Sequence, residues 1–183
     1  MKFEQLGASG LWVIDQERKS DERGWLSRTY CKIEFEQIGF TGEWVQHNHT
    51  FTQQAGSIRG MHYQFPPFTE VKLVRCIVGA IHDVVIDLRE GSSTFLKHYP
   101  VELSASNGKM LFIPQGFAHG FQTLTDDVEL VYCHSEFYKP GSESGLHYAD
   151  PKLQIKWPLP VSLVSERDQS HRFLDNDFIG IKF

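Results

Sequence analysis

The sequence predicts an all-β domain, a sandwich or closed barrel, and three observations carry that expectation. The middle of the chain is a succession of short alternating apolar runs, turn residues punctuate them at short spacing, and helical periodicity is weak throughout. Val71-Lys72-Leu73-Val74-Arg75-Cys76-Ile77-Val78 alternates, Gly79-Ala80 turns the chain, and Ile81-His82-Asp83-Val84-Val85-Ile86-Asp87-Leu88 returns it as the second arm of a hairpin. Ile58-Arg59-Gly60-Met61-His62-Tyr63-Gln64 reads as strand, and further strands are expected over 97–103, 110–113, 120–124 and 128–133. Between them stand Glu90-Gly91-Ser92-Ser93, Ser106-Asn107-Gly108-Lys109, Pro114-Gln115-Gly116 and Asp126-Asp127. The helix candidates are a short piece over 33–38 and one within the last twenty residues. From Ala149 the character changes, because Asp150-Pro151 and Trp157-Pro158-Leu159-Pro160 interrupt any central strand. The expectation is a single domain over 1–183, with a core of about 10–148 and a segment 149–183 that wraps it.

Composition narrows the function classes. The 183 residues suffice for a real core, and 14 Phe, 6 Tyr and 4 Trp favour aromatic-lined cavities or subunit contacts. A net charge of −5 gives no broad footprint for nucleic acid or an anionic membrane, so phosphate in a ligand must be met by a few placed cations. Cys31, Cys76 and Cys133 are too few and too scattered for a disulfide framework or a cysteine zinc site; Cys76 and Cys133 lie in apolar runs and read as buried small hydrophobes. The start, Met1-Lys2-Phe3-Glu4-Gln5, lacks an apolar signal core, and a cytoplasmic location is expected by default.

Four clusters bear chemistry. In the 58–64 run, period-2 alternation puts Gly60, His62 and Gln64 on one face and Arg59, Met61 and Tyr63 on the other. His62 is then either a hydrogen-bonded structural residue or one that faces a ligand, with Gly60 leaving room. Ile113-Pro114-Gln115-Gly116-Phe117-Ala118-His119-Gly120-Phe121 suggests a tight turn at a cavity mouth or a surface imidazole. Tyr132 in Leu130-Val131-Tyr132-Cys133 is a core phenol or a proton donor. Among the basic residues Arg23, Arg59, Lys72 and Arg75, Lys72 sits in an otherwise apolar strand, and is either solvated or aimed inward at an anion or at developing charge. Metal ligation is disfavoured. His62-x-Gln64 offers one imidazole where a pair is wanted, and His47-x-His49 has no carboxylate following on the same strand.

These blocks occur together and in order: Asp21-Glu22-Arg23-Gly24-Trp25, Gln46-His47-Asn48, Arg59 to Gln64, Lys72-Leu73-Val74-Arg75, Ile113 to Phe121, and Trp157-Pro158. The set resembles the dTDP-4-dehydrorhamnose 3,5-epimerase family over about 10–168. The resemblance implies a cupin-type jelly-roll β-barrel that acts as a homodimer on a nucleotide-sugar, with no metal and no cofactor. It also implies roles. His62 resembles the base, Asp168 the carboxylate that orients it, Tyr132 the opposing acid and Lys72 the cation beside the 4-keto oxygen. Arg23, Arg59 and His119 resemble diphosphate and sugar contacts; Gln46, Asn48, Tyr138 and Glu143 resemble nucleoside-side contacts.

The chemistry suits those side chains. A 4-keto group acidifies the protons on C3 and C5, a neutral imidazole takes one, a cation steadies the enolate, and a phenol reprotonates the other face. The chain departs from the family pattern at Arg28, His47, Glu70 and 145–150, and keeps His62, Lys72, Tyr132 and Asp168. Reaction type is therefore better specified than nucleotide or sugar. The competing expectations are a single-carbon epimerase on a TDP-, CDP- or GDP-linked sugar, a non-catalytic sugar-nucleotide-binding barrel, and a metal-dependent cupin dioxygenase.

Overall fold

The computed structural model describes residues 1–7 and 10–182. Its strands are β1 (Lys2–Gln5), β2 (Trp12–Asp15), β3 (Lys19–Asp21), β4 (Gly24–Leu26), β5 (Gln46–Thr52), β6 (Ile58–Gln64), β7 (Lys72–Val78), β8 (Ala80–Asp87), β9 (His98–Ser104), β10 (Lys109–Ile113), β11 (Phe117–Thr123), β12 (Val128–His134) and β13 (Glu143–Gly145), with helices α1 (Lys32–Glu36) and α2 (Glu166–Gln169). One sheet runs β1-β2-β10-β7-β12-β5, the other β13-β6-β11-β8-β9, and all named pairings are antiparallel. The two sheets face each other as a cupin-type jelly roll, the architecture expected from the sequence.

Alternation decides what the space between the sheets contains. Along β12, Val128, Leu130, Tyr132 and His134 point inward; along β7, Cys76, Val74 and Lys72 do so in the reverse direction. Because these strands are antiparallel, their apolar ends coincide and their polar ends coincide. Val74, Cys76, Ile81, Val85, Leu103, Leu111, Phe121 and Leu130 therefore seal one end of the barrel, and Lys72, Tyr132 and His134 open onto the other. Cys76 is buried in this core as expected, whereas Cys31 and Cys133 are half-buried.

The segment after Ala149 lies over the second sheet. Leu153, Leu174 and Ile181 join a buried cluster with Met61, Tyr63, Ile86 and Leu88, and Val164 pairs in parallel with Ile58. Gln122 holds the Trp157-to-Pro160 stretch from below, its side chain donating to the Leu159 carbonyl at 2.9 Å and accepting from the Leu159 N–H at 2.9 Å.

Two expectations are corrected. The strand expected to start at Gly120 begins at Phe117, so His119 is an interior strand residue and not a surface imidazole beside a turn. Strict alternation in β6 also fails. His119 pairs with His62 but Phe121 pairs with Arg59, so β6 carries one extra residue and a bulge. The bulge returns Arg59 to the face of His62, while Met61 and Tyr63 pack outward. Gly60 leaves room for backbone, not for a ligand: a Cβ there would stand 2.5 Å from the Gly120 Cα.

Candidate active site

The open end of the barrel is a cavity of about 500 Å³. Its walls include His62, Lys72, Tyr132, Asp168, Gln46, Asn48, Arg59, His119, Tyr138 and Glu143, which is every sequence-predicted site residue except Arg23. Arg23 belongs to the separate β3–β4 hairpin, where its side chain is 85 % exposed and pairs with Asp21. It is not a contact of the cavity in its own chain. Among the described residues the strands of that hairpin pair only with each other.

His62 and Asp168 are joined by fold closure. Ser165 caps α2, its hydroxyl accepting from the Asp168 N–H at 3.1 Å, and so fixes the helix turn that carries the carboxylate. Asp168 Oδ1 is 2.7 Å from His62 Nε2, and Oδ2 accepts the Gly60 N–H at 3.0 Å. Burial alone would raise the Asp168 carboxyl, but the His62 hydrogen bond and the Gly60 N–H outweigh it and hold the group below its ordinary value. An ionised Asp168 beside Nε2 keeps the ring proton on that nitrogen and leaves Nδ1 as the basic one.

Tyr132 approaches from the opposite sheet, on β12. Burial pushes its phenol far above the ordinary value, with Thr50 and Arg59 opposing only in part. The hydroxyl is therefore protonated at neutral pH. His119 stacks edge-on to it, ring centroids 6.1 Å apart, and is anchored by Nε2 to Asp83 at 2.9 Å.

Lys72 aims inward, which resolves the alternatives left by the sequence; its side chain is only 12 % exposed. It does not stand alone. Glu70 lies 3.0 Å from its ammonium and binds His134 Nδ1 at 2.6 Å, while His134 Nε2 meets the Asn48 amide at 3.3 Å. Burial would raise Glu70, but His134 and Lys72 together lower it, so the carboxylate stays charged. Arg59 differs: its partners are the Thr52 hydroxyl at 2.9 Å and the Phe51 carbonyl at 3.1 Å, and it makes no salt bridge among the described residues. It offers the cavity an un-neutralised cation.

The nucleoside-side candidates also converge. Gln46 bridges Asn48 at 3.3 Å and the Tyr138 N–H at 3.0 Å, and Glu143 pairs with Arg167 at 2.7 Å. Arg167 and His134 were not among the sequence candidates. For His134 the signal was present, since it follows Tyr132 by two positions on the same strand and must share its face. Among the described residues, one trio of ligand-type side chains gathers closely, His62, Asp168 and His171, and it is not the His47/His49 pair; His49 instead meets Glu129 at 2.8 Å.

Known proteins resemble this chain in sequence and fold. The family model of dTDP-4-dehydrorhamnose 3,5-epimerase matches residues 5–176. A dTDP-4-dehydrorhamnose 3,5-epimerase of Shigella flexneri is 42 % identical over 160 residues, covering 86 % of this chain and 88 % of the relative. A dTDP-4-dehydrorhamnose 3-epimerase of Streptomyces niveus is 36 % identical, over 92 % of this chain and 82 % of that protein. The crystal structure of dTDP-6-deoxy-D-glucose-3,5-epimerase from Legionella pneumophila, in complex with dTDP-4-keto-L-rhamnose, superposes with a TM-score of 0.90 at 34 % identity, covering 98 % and 97 % of the two chains. The chain thus belongs to the dTDP-4-dehydrorhamnose 3,5-epimerase family.

Proposed function

We propose that this isomerase inverts C3, C5 or both in a nucleotide-linked 4-keto-6-deoxy sugar of the dTDP-4-dehydro-6-deoxyglucose type, in deoxysugar biosynthesis. The observation that carries the reading is the opposition of two proton-handling groups across one cavity. His62, backed by Asp168, stands on the β6 sheet, and Tyr132 stands on the other sheet. A binding protein needs neither. His62 Nδ1 takes the proton from the carbon beside the ketone, and the electron pair moves onto O4 as an enolate. Lys72, aimed into the cavity, offsets that charge. Tyr132 delivers its proton to the opposite face; the phenolate then regains a proton from solvent and His62 releases one to it, which restores both groups. Arg59, with no carboxylate of its own, suits a diphosphate oxygen. The chemistry requires no cofactor.

A cytoplasmic homodimer fits the same reading. On the β3–β4 hairpin Trp25 and Leu26 are 51 % and 74 % exposed, apolar area that a second copy would cover. Arg23, at the tip of that hairpin, reaches substrate only if the hairpin of one chain meets the cavity of the other. No helix among the described residues is long and apolar enough to cross a membrane.

Inversion at C3 alone is the narrower form of this reading, and the Streptomyces niveus 3-epimerase at 36 % identity favours it. Incubation with dTDP-4-keto-6-deoxyglucose in heavy water separates the forms. Deuterium at C3 and C5 supports action at both carbons, deuterium at one carbon alone supports action there, and no incorporation at either carbon removes the proposal.

A further inference from the structure

His171 stands behind the His62–Asp168 pair and has no part in the cavity wall. It lies two residues past the end of α2, and the chain turn there brings its ring back towards Asp168. Its Nε2 is buried, has no hydrogen-bond partner among the described residues, and lies 3.8 Å from Asp168 Oδ1. Gly145 on β13 makes the space: a Cβ at that position would collide with the His171 ring. An imidazole has thus been admitted to a tight interior position with one nitrogen unpaired, aimed at a carboxylate that already binds another imidazole.

Two imidazoles and a carboxylate around one point are a transition-metal donor set. One ligand atom from each of His62, Asp168 and His171 lies within 4.8 Å of the others. The two measured edges, 2.7 Å and 3.8 Å, bracket the edge of about 3.3 Å that a tetrahedron with bonds of about 2.0–2.1 Å requires. Arg167, the cation of α2, is paired with Glu143 at 2.7 Å. His62, whose side chain is 27 % exposed, also lines the cavity.

We propose that His62, Asp168 and His171 bind a divalent transition metal ion of the zinc class, and that its occupancy switches the enzyme off. Imidazole and carboxylate donors suit zinc, nickel and copper; magnesium prefers oxygen donors and keeps its water. Both rings bind as neutral imidazoles, each giving one nitrogen lone pair, and a water completes the shell. Coordination at His62 Nε2 moves the ring proton to Nδ1. The nitrogen that would receive the substrate proton is then already protonated. The inhibitory half of the proposal rests on His62 being the base, whereas the binding half does not.

Equilibrium dialysis of the chelator-treated, desalted protein against zinc chloride tests the binding, and deuterium exchange into the substrate tests the inhibition. Saturable binding of one zinc per chain is expected, with exchange lost in step and magnesium inert. His171→Asn should weaken zinc binding by at least tenfold and shift the inhibition curve equally, while metal-free exchange continues because His171 does not touch the cavity. Equal zinc affinity in wild type and His171→Asn would place the ion elsewhere, for instance at His49 beside Glu129, and overturn the site. If His171→Asn does not fold, cobalt(II) bound to the wild type gives the intense visible bands of four-coordination, and featureless six-coordinate spectra overturn it instead. Stoichiometric zinc at this site with undiminished exchange would overturn the inhibition and the assignment of His62 as base together, yet leave the metal site standing.

Discussion

His62 Nε2 and Asp168 Oδ1 are 2.7 Å apart although 106 positions separate the two residues in the chain. The contact exists because the C-terminal segment pairs Val164 with Ile58 and then turns through α2 onto β6. On the proposed mechanism, catalytic competence is thereby tied to docking of that segment, since the barrel alone would supply His62 without its orienting carboxylate.

Replacing Asp168 by Asn keeps the shape and removes the charge. The amide retains a link to Gly60 but no longer favours the Nε2–H tautomer of His62. Exchange at both carbons should fall by about a hundred- to ten-thousandfold, with nucleotide binding largely kept. Calorimetric titration with dTDP beside the exchange assay checks this; parallel loss of binding would assign Asp168 to scaffold.

Lys72 and Glu70 call for a double-mutant cycle. Lys72→Met removes the enolate partner and should cost about a hundred- to a thousandfold in turnover. It also strips a cation from a buried carboxylate, so stability should drop by about 1–3 kcal/mol. Adding Glu70→Gln should restore the stability and not the turnover. Recovery of turnover in the double variant would show that Lys72 merely neutralises Glu70.

How much of this was legible follows from which rule governed each residue. Strand periodicity put Lys72 and Tyr132 on the strands that became β7 and β12, but left open whether each faced a cavity, which only the pairing of the two sheets decides. It misplaced Arg59, since a bulge inverts the alternation and depends on Gly60 meeting Gly120 across two strands. Asp168 could be named only through the family resemblance, as nothing local in Ser165-Glu166-Arg167-Asp168 points to a histidine 106 positions earlier. Glu70 stood out as a departure, but its bonds to Lys72 and His134 need the β7–β12 register. His171 carried no sequence signal, because its neighbour Gly145 and partner Asp168 come together only in three dimensions.

Acid stability should be set in part by Asp87, far from the chemistry. Burial would raise this carboxyl, but Arg89, Ser92 and Thr94 bind it and bring it down to about 2. A group depressed in the folded state contributes stability that is present above its ordinary value of 3.8 and lost as pH falls towards 2. The contribution at neutral pH is about 2 kcal/mol. Asp87→Asn should therefore be less stable than wild type by about that amount at pH 7 in urea unfolding, and the gap should close near pH 2. A gap independent of pH would mean lost packing, not lost charge.

Tyr132→Phe separates the two proton transfers. The ring and its packing against His119 remain, and only the hydroxyl leaves. Abstraction by His62 should persist in part, since Asp168 and Lys72 are unchanged. Reprotonation from the opposite face should fail, so the enolate recaptures a proton from the side it came from. In heavy water the expected result is deuterium entering C3 or C5 with little net inversion. A purely structural role predicts otherwise: about 1 kcal/mol of lost stability, with exchange and inversion lowered together or not at all. Exchange and stereochemistry must be read on the same sample, by mass and by proton coupling constants. Exchange that outruns inversion by tenfold or more identifies Tyr132 as the acid, and normal inversion in the Phe variant removes it from the mechanism.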